Sequence, residues 1–353
     1  MKKTMAGDFL IYDKSSNTYH ADPEQVVRDE VEKHYWRNVV KTVLKDWRLY
    51  LMLVPMVLVF LFWRYFPMYE LLGCFKVNDA TKEVADQFFS GFSYFKSLLF
   101  SGDYSDDFWK ALRNTFLLSF YGLLFGFPMP IILALFFNEI KSNILRSTYQ
   151  VMTYLPKFMS TVVMTTLVTM LVKQDSFTSS PGILSQLLVN LGWLTQEAAD
   201  AGLLNDATYF RGIYQISGIW ETAGYDSIVF FAAIIAISPT SYEAAQIDGA
   251  NKMAQMRYVV LPSILSTVVI MLITRIGSLL SVGYEKVLLL YNAETMKTTA
   301  DVVSTLAYRI GINGASSDQG LASAAEMMSN VVSMLLVIGA NTISRKASDV
   351  SLY

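Results

Sequence analysis

Charged side chains inside apolar stretches are costly unless they do work, so Lys157, Glu221, Arg275 and Glu326 are the first residues to weigh. Glu221 follows Trp220 and precedes Gly224 and Tyr225, an array of aromatic and polar groups at cavity-like spacing. Aromatic faces take the C–H surfaces of sugars and polar groups take their hydroxyls, so this cluster suits an oligosaccharide path. It also reads as an internal ion pair or as a group at a membrane interface. Lys157, which follows Pro156, and Arg275 can each bind a substrate carboxylate or satisfy a carbonyl or carboxylate on a partner subunit. Glu326, beside Met327 and Met328, is a further cavity candidate, and Arg64 is placed to snorkel outward.

Catalysis finds little support. His20 and His34 are the only histidines, so the His-Glu-x-x-His ligands of an intramembrane zinc protease are missing. Cys74 is the only cysteine, which excludes an intrachain disulfide and a cysteine-based zinc cluster. No G-x-x-x-x-G-K-[ST] loop exists to cradle nucleotide phosphates, and no motif for nucleophilic catalysis is visible. A net charge of -2 gives no basic excess for nucleic acid.

The most informative stretch runs from Ser238-Pro239-Thr240-Ser241-Tyr242 through Glu243-Ala244-Ala245-Gln246-Ile247-Asp248-Gly249-Ala250 to Leu261-Pro262. Pro239 ends the helix before it, and Ser241 can cap a new one whose first turn holds Glu243, as the helix dipole favours. Ala244 and Ala245 let a partner approach the backbone, and Gly249 supplies the freedom of a turn. Pro262 suits the first turn of the next helix. Together these features describe a rigid knob fitting a groove in another protein, or an ordinary polar connection.

The elements that must carry these residues follow from composition: 53% hydrophobic and 16% charged residues in a chain of 353 point to the bilayer as solvent. A spanning helix needs about 20 mostly apolar residues. Six stretches qualify, approximately Leu49 to Tyr69, Leu112 to Phe137, Tyr149 to Val172, Ile213 to Ile237, Val259 to Gly283 and Leu321 to Ile343. With the amino terminus inside, the inner segments carry the larger share of Lys and Arg, so both termini are expected in the cytoplasm. The first run begins beyond the ~30 residues that a cleavable signal peptide would use. Val27, Val31, Tyr35, Val39, Val43 and Trp47 recur every four residues, as in an amphipathic helix on the inner leaflet or packed on its own protein. Of the outer loops, 71–111 and 173–212 are long, and Ile183 to Trp193 reads as a helix lying on the outer face. No internal repeat is visible.

The pattern Glu243-Ala244-Ala245, three residues, Gly249, nine residues, Val259-x-Leu261-Pro262 resembles the signature of binding-protein-dependent ATP-binding cassette (ABC) importer permeases. Val259 stands where that signature has Ile. Asp248 and Ala250 extend it to the form common in the sugar, maltose-permease-like branch. The likeness covers about Trp47 to Tyr353. Arg64 to Tyr69 with Phe75-Lys76 is similar to polysaccharide-type permeases of Gram-positive bacteria, with Glu70 where those have Gly. Ala111 to Thr115, Leu133 to Leu135, Asn138 to Ile140, Ser281 to Glu285 and Ser351-Leu352-Tyr353 are supporting stretches.

The resemblance implies an all-α polytopic membrane protein with six transmembrane helices, the type I ABC importer permease fold. Residues 1–47 would form a cytoplasmic tail and 48–353 the permease domain, with a coupling loop at 238–258. Glu243, Ala244, Ala245, Asp248, Gly249, Ala250, Leu261 and Pro262 would couple to the ATPase. Implied partners are a second homologous permease, two copies of a nucleotide-binding ATPase, an extracellular solute-binding lipoprotein, membrane lipid and an oligosaccharide. ATP and Mg would be used by the ATPase, with no cofactor on this chain. The membrane would be the plasma membrane of a Gram-positive bacterium. The alternative, an ion-coupled secondary transporter, should show paired repeats and broken midplane helices, and neither is evident in the sequence.

Overall fold

The computed structural model describes residues 10–13, 18–21, 39, 41–76, 88–172, 181–291, 296–312 and 318–348. Val27, Val31 and Tyr35 of the expected amphipathic stripe, and Ser351-Leu352-Tyr353, lie outside them. The chain divides into two units, residues 1–70 and 71–353.

Among the described residues the first unit holds a small exception to an otherwise helical fold. Strands β1 (Leu10–Asp13) and β2 (Thr18–Ala21) form an antiparallel hairpin with Leu10 opposite Ala21. Helix α1, Trp47–Phe75, then supplies the first membrane span and lies in this unit for most of its length.

Among its described residues the second unit contains three further helices long and apolar enough to cross a membrane: α2 (Ser105–Glu139), α6 (Ala207–Ile235) and α12 (Gln319–Lys346). At 1.5 Å per residue, the 35 residues of α2 reach roughly 50 Å, ample for a tilted crossing. Between them α3 (Asn143–Phe158) and α4 (Thr161–Val172) form one bent span, the short helix α5 (Ile183–Asn190) follows, and α8 (Lys252–Ser263) with α9 (Leu265–Gly277) forms the other bent span. Four continuous and two bent spans give the expected six.

The bends correct the reading of spans three and five as unbroken. The axis turns by 102° between α3 and α4. Pro156 tightens the last turn of α3, Met159 is extended, and the Ser160 hydroxyl accepts the Val163 N–H at 3.3 Å to start α4. The 60° turn between α8 and α9 follows Pro262. A wide turn over Met256–Val260 absorbs the proline's disruption, and Ser263 donates to the Val259 carbonyl at 2.7 Å. Span two has its own irregularity, a π turn over Gly122–Gly126 just before Pro128 and Pro130, in which the Phe127 N–H reaches back to the Gly122 carbonyl at 3.1 Å.

Three buried clusters hold the second unit together. One joins Ala134 of α2, Phe230 and Ile234 of α6, and Val260 and Ile264 of the fifth span. A second joins Leu118, Val168 and Phe210 to Val287 and Leu290 of the short helix α10 (Tyr284–Leu290). The third packs Phe108 and Ala111 against α11 (Val303–Gly311) and Ala324 and Ala325 of α12. Small residues set the closest approaches. A Cβ on Gly224 of α6 would overlap the carbonyl of Thr153 in α3, so only glycine permits that crossing.

Candidate functional site

At one end of α2 the loop after α6 forms helix α7, Pro239–Ile247. Proline takes the first helical position, where its missing N–H costs nothing, and Ser238 stands at the cap. The helix therefore begins earlier than a Ser241 cap implies, and Glu243 falls beyond its first turn. Its end is a Schellman cap: the Ala250 N–H bonds the Ala245 carbonyl at 2.9 Å, the Gly249 N–H bonds the Gln246 carbonyl at 3.0 Å, and Gly249 sits at φ +79°. Glu243, Ala244, Asp248 and Gly249 are exposed, as are Leu261 and Pro262, while Ala245 and Ala250 are half-buried. Ile247 is 87% exposed at the tip. Two contacts seat the knob on α2: Tyr242 beside Asn138 and Glu139, and Lys252 with Glu139 at 3.3 Å. Burial, then the Glu139 charge, pushes the Tyr242 phenol above its ordinary value.

A cavity of about 250 Å³ lies beside the π turn of α2, among α6, the end of α9 and α10. Gly122, Gly126, Gly218 and Gly283 leave its wall open, and Gln215, Thr222 and Ser278 add polar groups. Three charged side chains line it: Glu221, Arg275 and Lys286. Lys286 Nζ meets Glu221 Oε2 at 3.0 Å, with the two side chains 15% and 16% exposed. The ammonium also lies 5.4 Å from the centre of the Tyr214 ring, close enough for a cation–π contact. Burial pulls the Lys286 ammonium below its ordinary value, and the Glu221 carboxylate opposes that. Among the described residues Arg275 makes no ion pair. The wall thus carries one positive charge in excess.

The sequence candidates Trp220, Tyr225 and Lys157 do not line this cavity. Tyr225 stands edge-on to Phe158, 6.0 Å between ring centres, and Trp220 is exposed; neither lines the cavity, and the expected aromatic cluster is split. Lys157 is exposed and likewise off the wall, although its charge reaches Asp226 and Lys286. Two functional candidates escaped the sequence. Asp226, within electrostatic reach of Arg275, satisfied the same rule of charge within a span that singled out Glu221. Lys286 carried no signal, since its partner is 65 positions away and it falls in a presumed outer loop.

At the opposite end of α2 a buried polar clasp binds the segment 296–312. Asn114 donates to the carbonyls of Thr298 and Asp301 at 3.2 and 3.0 Å and accepts from Arg211 at 2.9 Å. Asp301 accepts from Thr305 at 2.8 Å and from Arg309 at 2.9 Å, with Asp107 3.8 Å from the same guanidinium. Burial alone would lower Arg309, but the Asp301 and Asp107 carboxylates outweigh it and hold the guanidinium above its ordinary range.

Residues 126–284, which include α6, the knob and most of the cavity wall, match the model of the family described as "Binding-protein-dependent transport system inner membrane component". Protein LplB of Bacillus subtilis is 34% identical over 319 residues, covering 90% of this chain and 94% of LplB. The polygalacturonan/rhamnogalacturonan transport system permease protein YteP of the same organism is 31% identical, covering 90% of this chain and 93% of its own length. Among solved structures, a chain of a bacterial ABC transporter involved in the import of the acidic polysaccharide alginate superposes with TM-score 0.75 at 38% identity, over 88% of this chain and 99% of that one.

Proposed function

This chain belongs to the binding-protein-dependent transport system inner membrane component family: it is a plasma-membrane permease subunit of a sugar ABC importer, and we propose that its cargo is an acidic oligosaccharide. It is not an enzyme in its own right; the ATPase is a separate subunit. The observation that carries the cargo assignment is the excess positive charge of the cavity wall, where Arg275 and Lys286 face a single carboxylate, Glu221. The names of YteP and of the alginate transporter, both concerned with acidic polysaccharides, support it. At about 250 Å³ the cavity is smaller than the ~300–1,000 Å³ of sites that engulf a drug-sized ligand, which suits a passage holding part of a longer chain.

The permease domain extends over 48–353, behind a cytoplasmic tail of 1–47. The knob, Glu243 to Ala250 with Leu261 and Pro262, faces the cytoplasm together with both termini and seats in one of two ATPase subunits, which use ATP and Mg. A second homologous permease completes the pathway, and an extracellular lipoprotein delivers the sugar. The Bacillus relatives support a Gram-positive host. ATP-driven closure of the ATPase pair pushes the knob and rocks the spans between outward- and inward-facing states.

Reconstitution tests this reading. The complex in liposomes should take up oligogalacturonate or oligoalginate only with ATP and binding protein. Uptake sustained by an ion gradient without ATPase subunits would refute it.

A further inference from the structure

Taking the acidic cargo as its premise, we propose that Lys286 is a specificity-determining residue whose ammonium passes from Glu221 to a carboxylate of the cargo. The contact between them joins α10 to α6 across the cavity wall, so it is made by two elements that separate movements of the spans can part. Gly218 lies almost one turn before Glu221, and a Cβ there would come within 3.6 Å of Lys286 Nζ. Glycine therefore leaves one flank of the ammonium open, while the Tyr214 ring covers another. A lysine ammonium has three donors, so a second acceptor can be engaged before the first is released.

The exchange discriminates by charge. A cargo carboxylate gives Lys286 a counter-ion throughout, and Arg275 on the same wall supplies the second cation, so Glu221 plus one cargo carboxylate make the wall neutral. A neutral sugar offers no such replacement. Where the spans part the pair, it leaves the Lys286 ammonium, 15% exposed, with only the Tyr214 ring beside it, which is costly in so poorly hydrated a place. Rejection of neutral chains thus comes from the pair, and acceptance of acidic ones from Lys286.

The test uses the whole transporter in liposomes, with its binding protein common to every arm, supplied with oligogalacturonate and oligoalginate and with the same chains carboxyl-reduced to alcohols. Wild type is expected to import an acid chain and leave the reduced forms at background. Equal import of acid and reduced chains, or import of neither, overturns the acidic-cargo premise itself. Given that selectivity, Lys286→Gln should cut uptake of the acid chain at low concentration by about tenfold, Lys286→Arg should rescue it, and Glu221→Gln should lower KM by about threefold. Equal losses in Lys286→Gln and Glu221→Gln are the mark of a pair that only braces the fold, and they overturn the role of Lys286 while leaving the cargo assignment standing. Co-purification of the ATPase subunits reports assembly. If Lys286→Gln does not assemble, the KM of Glu221→Gln decides: a rise overturns the proposal and a fall supports it.

Discussion

The two ends of α2 are built on opposite plans. Around Asn114 and Asp107 the segment 296–312 is fastened by a buried clasp in which Asp301, Thr305, Arg309 and Arg211 find partners within the chain. Around Asn138 and Glu139 the knob α7 presents nearly all its side chains outward and is shaped by main-chain bonds. Buried polar groups demand partners within the fold, whereas exposed ones are satisfied by water and leave the surface free to change. One end is finished by the chain itself; the other is the surface proposed above to seat in the ATPase.

That contrast breaks most visibly at the clasp. Asp301→Ala leaves Arg309 with only the longer contact to Asp107 and should lower stability by about 2 kcal/mol, below the range for a fully buried pair because Arg309 is about a third exposed. Thermal unfolding in detergent would register it, and an unchanged midpoint would show that the clasp is decorative. Gly249→Val forces a β-branched residue to φ +79° and should cost about 1–2 kcal/mol locally, with insertion intact and transport uncoupled from ATP hydrolysis. Lys252→Ala removes an exposed pair with Glu139 and should change stability by about 0.5 kcal/mol, with a smaller loss of transport than Gly249→Val. Glu243→Lys should leave stability within about 0.5 kcal/mol yet abolish uptake, since only a partner would feel that charge. Normal uptake by Glu243→Lys and Gly249→Val together would erase the distinction between the two ends.

Much of the architecture was legible because hydropathy sums are local: six apolar runs became six crossings. Direction is another matter. Pro156 was visible, but the 102° turn also needs the extended Met159 and the Ser160 cap, which a hydropathy sum does not register. The bends at Pro156 and Pro262 also show that an importer permease carries the broken helices expected of its ion-coupled rival. At the knob, residue types gave a short helix ending in glycine, and only its start was displaced, because Pro239 serves as the first residue of α7 as readily as it ends α6. At the cavity, Glu221 and Arg275 were found by their charge within spans, whereas Trp220 and Tyr225 were grouped by proximity in sequence although a helix turns them to different sides. Lys286 is a purely tertiary fact.

The Schellman cap at Gly249 separates form from display. Because carbonyls and amides alone fix where the helix stops and the chain leaves, the exposed side chains of α7 can be exchanged freely without altering its outline. On the proposed coupling role, descendants of this protein can be refitted to a different motor by recolouring one surface, with the contacts of Tyr242 and Lys252 to α2 inherited whole.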